Sequence, residues 1–267
     1  MSINRTLLFA LLITVSSCKV NKPVVTNTGK AFIPDGKLWA ALWHQRAAEY
    51  KALCFQAYNV AKWRLDIALQ SNYSKPLAII TDIDETVLDN SPNTVSQGLA
   101  GKEYEPEAWY KWTSLASADT IAGAASFFKY AASKPVTIFY ISNRDEKERQ
   151  STLTNLQKFG LPNADTGHLL LKQNTSGKDA RRQEVLKNYE VVLLIGDNLS
   201  DFSNIFDKQT EEPRLSATKL VSGNFGNRFI ILPNVQYGDW EGALYQYNPQ
   251  ISPKEKEKIF KSSLKGQ

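Results

Sequence analysis

The chain has 267 residues, 32 Lys and Arg against 27 Asp and Glu for a formal net charge of +5, with 42% hydrophobic and 22% charged residues. That balance excludes disordered, collagen-like and disulfide-rich chains and leaves enough length to bury a full core without covalent staples. The two cysteines and two histidines, Cys18, Cys54, His44 and His168, lack any ligand spacing for a structural zinc. The basic residues are interleaved with acids and no nucleic-acid module is present, so no polymeric nucleic acid is expected as a partner.

Residues 1–17 carry Arg5 and then the uncharged apolar run Leu7 to Val15. About 20 apolar residues are needed to cross a bilayer, so this shorter run is expected to be a signal-peptide core. Ser16-Ser17-Cys18 after it resembles a bacterial lipoprotein processing site. The resemblance implies a lipid on Cys18, export, and anchoring to the outer membrane on its periplasmic or surface face. Residues 18–36 are polar, with Pro and Gly and no apolar period, and are expected to be a flexible tether.

Trp39, Trp43, Ala47, Tyr50, Cys54, Ala57, Ala61, Leu65 and Ala68 recur in steps of three and four, which predicts a long amphipathic helix or helix pair with Cys54 buried and inert. His44 on that helix is expected to be a partly exposed structural side chain. Further on, apolar runs at 77–81, 136–141, 191–195 and 229–232, with a shorter one at 168–171, alternate with helical spacing at 119–133 and 146–159. The second helix stops at Gly160 and Pro162. Continuous apolar strands alternating with amphipathic helices predict an α/β fold with a Rossmann-type parallel sheet covered on both faces. Residues 251–267 alternate Lys and Glu and are expected to form a solvated terminal helix or tail.

Ligands bind outside the carboxyl ends of such strands, so the residues just after each strand are the informative ones. Asp82 and Asp84 follow the first, Ser142, Asn143 and Arg144 the second, Lys172 the short one, and Asp197 and Asp201 the third. Clustered carboxylates repel unless protons or a cation neutralise them, and an all-oxygen set favours a hard cation such as Mg2+. A metal, a carboxylate nucleophile and phosphate-binding donors together point to phosphoryl transfer through an aspartyl-phosphate. The spacing leaves open which Asp does what. Lys178, with Arg181 and Arg182, fits either a positive field at the phosphate or a solvated helix, and His168 is surplus to this scheme.

Asp82-Ile83-Asp84-Glu85-Thr86-Val87-Leu88-Asp89-Asn90 resembles the first motif of the class C acid phosphatases, the lipoprotein e(P4) group of the haloacid dehalogenase superfamily. Ile195-Gly196-Asp197-Asn198-Leu199-Ser200-Asp201-Phe202 is similar to that group's last acidic motif, and residues 232–242 also resemble it. The similarity runs from about residue 37 to 245. It implies Asp82 as nucleophile and Asp84 as general acid and base. It also implies Mg2+ held by Asp82, the Asp84 carbonyl and Asp197, with Asp201 as ligand or close support, and phosphate bound by Ser142, Asn143 and Lys172.

The resemblance further implies a phosphatase domain over 37–250, with its core at about 75–240 and a helical cap from 37–72 and 91–118. Trp109 and Tyr237 match aromatics that stack on a nucleobase, so phosphomonoesters, nucleoside monophosphates among them, are the expected substrates at mildly acidic pH, giving 5'-nucleotidase activity. Trp112 fits core packing of the cap as well as a pocket role. Asn93 stands where the group has tyrosine, which alters part of the pocket. An oligomer is compatible with the sequence. The competing readings are a sugar-phosphate phosphatase or phosphotransferase of the same superfamily, and a non-catalytic surface lipoprotein binding a ligand such as haem.

Overall fold

The computed structural model describes residues 32–266; the signal segment, Cys18 and the tether through residue 31 lie outside them. Helices α1 (Phe32–Arg46) and α2 (Ala48–Ala68) lead into strand β1 (Leu77–Thr81). The short β2 (Leu88–Asp89), α3 (Ser91–Leu99), α4 (Pro106–Ser114), β3 (Asp119–Thr120) and α5 (Ala124–Ala132) follow. Next come β4 (Val136–Ile141), α6 (Arg149–Lys158), β5 (Leu169–Leu170), α7 (Asp179–Asn188) and β6 (Glu190–Gly196). The chain ends with α8 (Glu211–Leu220), β7 (Phe229–Ile231), α9 (Asp239–Leu244) and α10 (Pro253–Ser263). Strands β5-β4-β1-β6-β7 form one sheet in that order with every pair parallel, and β2 and β3 form a small antiparallel ribbon.

The strands are largely apolar because both faces of the sheet are covered. Ile79, Ile138, Tyr140, Leu193 and Ile195 face one layer with Tyr58, Ala61 and Leu65 of α2, Phe128 of α5 and Leu156 of α6. Ala78, Ile80, Phe139, Ile141 and Leu194 face the other, with Val185 of α7, Phe202 and Phe225. The period of two slips on β6: Ala78 pairs with Val191 but Ile79 with Leu193, so Val192 and Leu193 both turn to the α2 side.

Several boundaries differ from the sequence expectation. Helix α1 already runs through Phe32–Asp35, inside the expected tether, with Pro34 accommodated among its buried residues. The expected helix at 119–133 splits: Asp119–Thr120 pairs with β2, and Gly123 at φ +89° breaks the run ahead of α5. The cap expected from 37–72 is also divided. Helix α1 packs on α3, whereas α2 lies against the sheet and α5 and belongs to the core. Cys54 is fully buried there, and burial pushes its thiol up to about 11, as expected for an inert packing residue. The charged tail forms α10. No helix among the described residues is long and apolar enough to cross a membrane.

One bond joins α2 to the loop after β1. The Tyr58 hydroxyl, buried between Phe127 and Phe128, donates to the Thr86 carbonyl at 2.6 Å. Tyr58→Phe strands that carbonyl in a dry site, so chemical denaturation is expected to show a loss of about 1–3 kcal/mol.

Candidate active site

Strand β1 is central, with β4 and β6 on either side, so the three carboxyl ends open onto one edge. The backbone stays in register past β1, Asp82 N donating to Ile195 O at 2.8 Å, which sets Asp82 beside the end of β6. The chain then turns tightly: Val87 N and Leu88 N both reach the Ile83 carbonyl at 2.8 Å, with Glu85 at φ +57°. Glu85 is fully buried and accepts from Asn90 N at 2.8 Å. Burial, then Asp84 and Asp197, holds its carboxyl well above the ordinary range.

Asp82, Asp197 and Asp201 each bring a carboxylate oxygen within 4.8 Å of the others. Asp201 folds back over the strand end: its Oδ2 accepts from Asn198 N at 3.0 Å, and a Cβ on Gly196 would lie 2.3 Å from that oxygen, so only glycine fits. Asp197 accepts from Asn234 Nδ2 at 2.7 Å and from the Thr86 hydroxyl at 3.3 Å. Burial and then repulsion from Asp201 and Asp82 push its carboxyl well above the usual range. Burial also raises Asp82, against the pull of Lys178 and with the push of Asp201 and Asp84. Three converging acids, two of them disfavoured as anions, form an oxygen-donor set that a hard divalent cation fits.

The cation that the structure does place here is Lys178. Its ammonium bonds Asp82 and reaches Asp201 Oδ1 at 2.6 Å. Burial alone would lower its pKa, but Asp201 and Asp82 outweigh burial and hold it above the ordinary lysine value. Lys172, the sequence candidate for this role, does not enter the site. It is one-third exposed and bonds Asp145 Oδ1 at 2.6 Å, because the chain runs on from β5 to the start of α7 before turning a lysine inward. Lys178, Arg181 and Arg182 share one face of the α7 N-terminal turn, and all three are buried. Arg181 Nη1 donates to Ser142 O at 2.6 Å and its Nη2 to Asn143 Oδ1 at 2.7 Å, while Arg182 Nη1 holds Ser200 O at 2.8 Å and Asp201 O at 3.1 Å. The i, i+3, i+4 spacing of these cations was the available signal.

Asp84 keeps different company. Arg144 Nη2 reaches its Oδ1 at 2.7 Å and Arg144 Nε the same oxygen at 3.0 Å; Asn90 Nδ2 adds 2.9 Å and the Ser142 hydroxyl reaches Oδ2 at 3.3 Å. Arg144, to which the sequence alone gives no role, is the main partner of Asp84, and Ser142 is fully buried behind it. Trp112 Nε1 donates to Asn90 Oδ1 at 2.8 Å, so Trp112 braces this cluster. His44 is buried rather than partly exposed: its Nε2 lies 3.2 Å from Asp89 Oδ1 and its Nδ1 3.0 Å from Gln236 Nε2, joining α1 to the loop that carries Tyr237. His168 pairs with Asp165, its Nδ1 2.8 Å from Oδ1, outside the site.

Above the acids lies a cavity of about 310 Å³ bordered by Asp82, Asp84, Asn143, Arg144, Lys178, Asp197 and Asp201. Trp109 and Tyr237 also line it, with the Arg144 guanidinium 5.7 Å from the Trp109 ring centroid.

The family model described as "HAD superfamily, subfamily IIIB (Acid phosphatase)" matches residues 10–240. The chain belongs to this family. A solved class C acid phosphatase from Bacillus anthracis is similar at TM-score 0.85 and 44% identity, over 88% of this chain and 99% of that one; a second structure of it, with tungstate bound, gives the same score and identity. Among curated proteins, vegetative storage protein 2 of Arabidopsis thaliana is 27% identical over 57% of each chain. The stem 31 kDa glycoprotein of Glycine max is 27% identical over 46% of this chain and 50% of its own. The chain thus spans about half the length of these plant relatives. The α/β architecture expected from sequence is the architecture of this acid phosphatase subfamily.

If Lys178 is what neutralises the buried acids, its loss leaves two carboxylates unpaired. Lys178→Met is expected to cost about 3–5 kcal/mol, whereas Lys172→Met, at a pair about one-third exposed, is expected to cost under about 1 kcal/mol. Denaturant titration of the two variants beside the parent checks the contrast.

Proposed function

We propose that this acid phosphatase family member hydrolyses phosphate monoesters, nucleoside monophosphates among them, through an aspartyl-phosphate on Asp82. The observation that carries this is the meeting of Asp82, Asp84, Asp197, Asp201 and Lys178 at the floor of one cavity whose walls include Trp109 and Tyr237. The tungstate bound to the related Bacillus anthracis enzyme is a tetrahedral oxyanion of the kind such a floor would accept.

In the first step an Asp82 oxygen attacks phosphorus and the ester P–O bond breaks, Asp84 giving its proton to the leaving oxygen. In the second, Asp84 takes a proton from water as that water attacks phosphorus, and the bond to Asp82 breaks to release inorganic phosphate. Arg144 fixes the Asp84 carboxyl through its two bonds to Oδ1. Lys178 holds positive charge beside Asp82 where the phosphoryl oxygens gather. Asp82, Asp197, Asp201 and the Asp84 carbonyl would hold a divalent cation such as Mg2+. When bound, it supplies charge neutralisation for the transferred group and for these acids.

Trp109 and Tyr237 would stack on a flat leaving group and tolerate many bases. Export and a lipid on Cys18 remain part of the proposal, on the strength of the apolar run and Ser16-Ser17-Cys18.

Phosphate release at mildly acidic pH is the direct test. Chelation is expected to lower turnover at least about a hundredfold, with recovery on adding Mg2+. Asp82→Asn is expected to lose at least about a thousandfold in kcat; equal turnover by that variant removes the aspartyl-phosphate. Trp109→Ala is expected to raise KM for nucleoside monophosphates at least about fivefold relative to p-nitrophenyl phosphate.

A further inference from the structure

Two buried guanidiniums flank the floor of the cavity with no carboxylate to pair with among the described residues. Arg181 of α7 and Arg214 of α8 are 9% and 7% exposed. Arg181 binds Ser142 O and, through Nη2, Asn143 Oδ1 at 2.7 Å. Arg214 Nη1 donates to Phe206 O at 3.0 Å and its Nη2 to Asn198 Oδ1 at 2.9 Å. The two asparagines hold matching places. Asn143 is the second residue past β4 and Asn198 the second past β6, the strands on either side of β1, so they flank Asp82 from opposite sides. Both border the cavity and neither guanidinium does, so each carboxamide stands between a buried positive charge and the cavity.

A guanidinium carries donors only, so it fixes the orientation of any amide it binds: the oxygen faces the arginine and the Nδ2 group turns away. For Asn143 this agrees with the phosphate-binding place expected from its motif. Asn198 has no role in that expectation. It is half-buried, and its Nδ2 has no acceptor among the described residues. That nitrogen faces the loop of Tyr237, where a Cβ on Gly238 would lie 3.5 Å from it. A charge buried without a partner is costly, and a bond to the carboxamide oxygen strengthens the same amide's N–H as a donor. An anionic phosphoryl group above Asp82 supplies what both arginines lack, an acceptor for the amide and a countercharge behind it.

We propose that Asn198 is a phosphate-binding residue, donating from Nδ2 to a phosphoryl oxygen across the floor from Asn143. Arg214 is its positioning residue, aiming and polarising that amide as Arg181 does for Asn143. The inference rests on the phosphomonoester reading above and deepens it with a donor drawn from the last acidic motif. The competing role for Asn198 is to cap the short turn Leu199–Asp201. Two substitutions separate these roles. Aspartate caps as well as asparagine and still offers Arg214 an oxygen, but it has no donor; leucine has neither.

The test measures binding of inorganic phosphate by calorimetry in a buffer containing Mg2+, beside kcat and KM on p-nitrophenyl phosphate. Asn198→Asp and Asn198→Leu are each expected to weaken phosphate binding at least about tenfold, with a comparable loss in kcat/KM. Arg214→Met, which frees the amide to turn over, is expected to weaken phosphate binding at least about threefold, and Arg214→Lys, which keeps a donor behind Asn198, to recover most of that loss.

A capping role alone predicts weaker binding in Asn198→Leu but not in Asn198→Asp, and an added negative charge alone predicts the reverse. Either pattern, or a phosphate affinity unmoved in both variants, overturns the proposal. Where Arg214→Met does not fold, the two Asn198 variants decide alone. Parent-like turnover by Asp82→Asn removes the aspartyl-phosphate but leaves phosphate affinity in the Asn198 variants as a separate readout, so the two failures are told apart.

Discussion

The constraint that organises this molecule is like-charge repulsion at one edge of the sheet. Asp82, Asp197 and Asp201 are brought together where water is scarce, and buried carboxylates so close are unstable unless paired. Lys178 answers this from the first turn of α7, bonding Asp82 and Asp201 at once. Its position requires α7 to start against the sheet edge. Arg181 and Arg182 fix that start by binding backbone carbonyls of both flanking loops, Ser142 on one side and Ser200 and Asp201 on the other. Gly196 is a consequence of the same crowding, since Asp201 occupies the volume that a side chain there would need.

Two carboxylates only two residues apart are given separate surroundings by this arrangement. Asp82 ends β1 and meets the Lys178 ammonium, while Asp84, carried round by the turn through Glu85, meets the planar Arg144 fork and the Ser142 hydroxyl. A point charge beside one acid and a bidentate guanidinium on the other is a physical basis for unequal roles. The turn that separates them is held by groups with no chemistry of their own. Buried Glu85 accepts from Asn90, Tyr58 bonds the Thr86 carbonyl, and the Thr86 hydroxyl reaches both Asp82 and Asp197 at 3.3 Å.

Much of this was legible from the sequence because strands buried on both faces must be continuously apolar, and the residues after them must lie at one edge. The runs at 77–81 and 136–141 are strands with those bounds, and the aspartates after the first and third runs do converge. What could not be read is how far the chain travels before a side chain turns inward. Lys172 comes directly after a strand end and Lys178 six residues later, and strand periodicity stops at the strand. Helical spacing of Lys178 with Arg181 and Arg182 held the answer, yet a cationic helix face in isolation is equally a solvated one. Glu85 and Arg144 were hidden differently, since a charged residue in a motif gives no sign of its burial until its partners are placed. The division of the N-terminal helices was also out of reach, because one apolar stripe runs through both, and only the break after Arg46 lets α1 join α3 while α2 covers the sheet.

Lys172, displaced from the phosphate floor, acquires a different meaning in the structure. It bonds Asp145 Oδ1 at 2.6 Å, and Asp145 also receives the Tyr110 hydroxyl, while the Lys147 amine stands 3.1 Å from the Tyr110 ring centroid. Lys172 and Tyr110 together hold the Asp145 carboxyl below its usual range. Tyr110 is the neighbour of Trp109 on α4, and Asp145 is the neighbour of Arg144. The two residues that flank this junction on the inner side are therefore the aromatic wall of the cavity and the partner of Asp84. A helix of nine residues is marginal by itself. Fastened to the loop after β4 by Tyr110 on one face and to Asn90 by Trp112 on another, it carries Trp109 at a fixed height above the acids. The lysine outside the site and the lysine inside it thus serve one geometry, the first by holding the wall and the second by holding the floor.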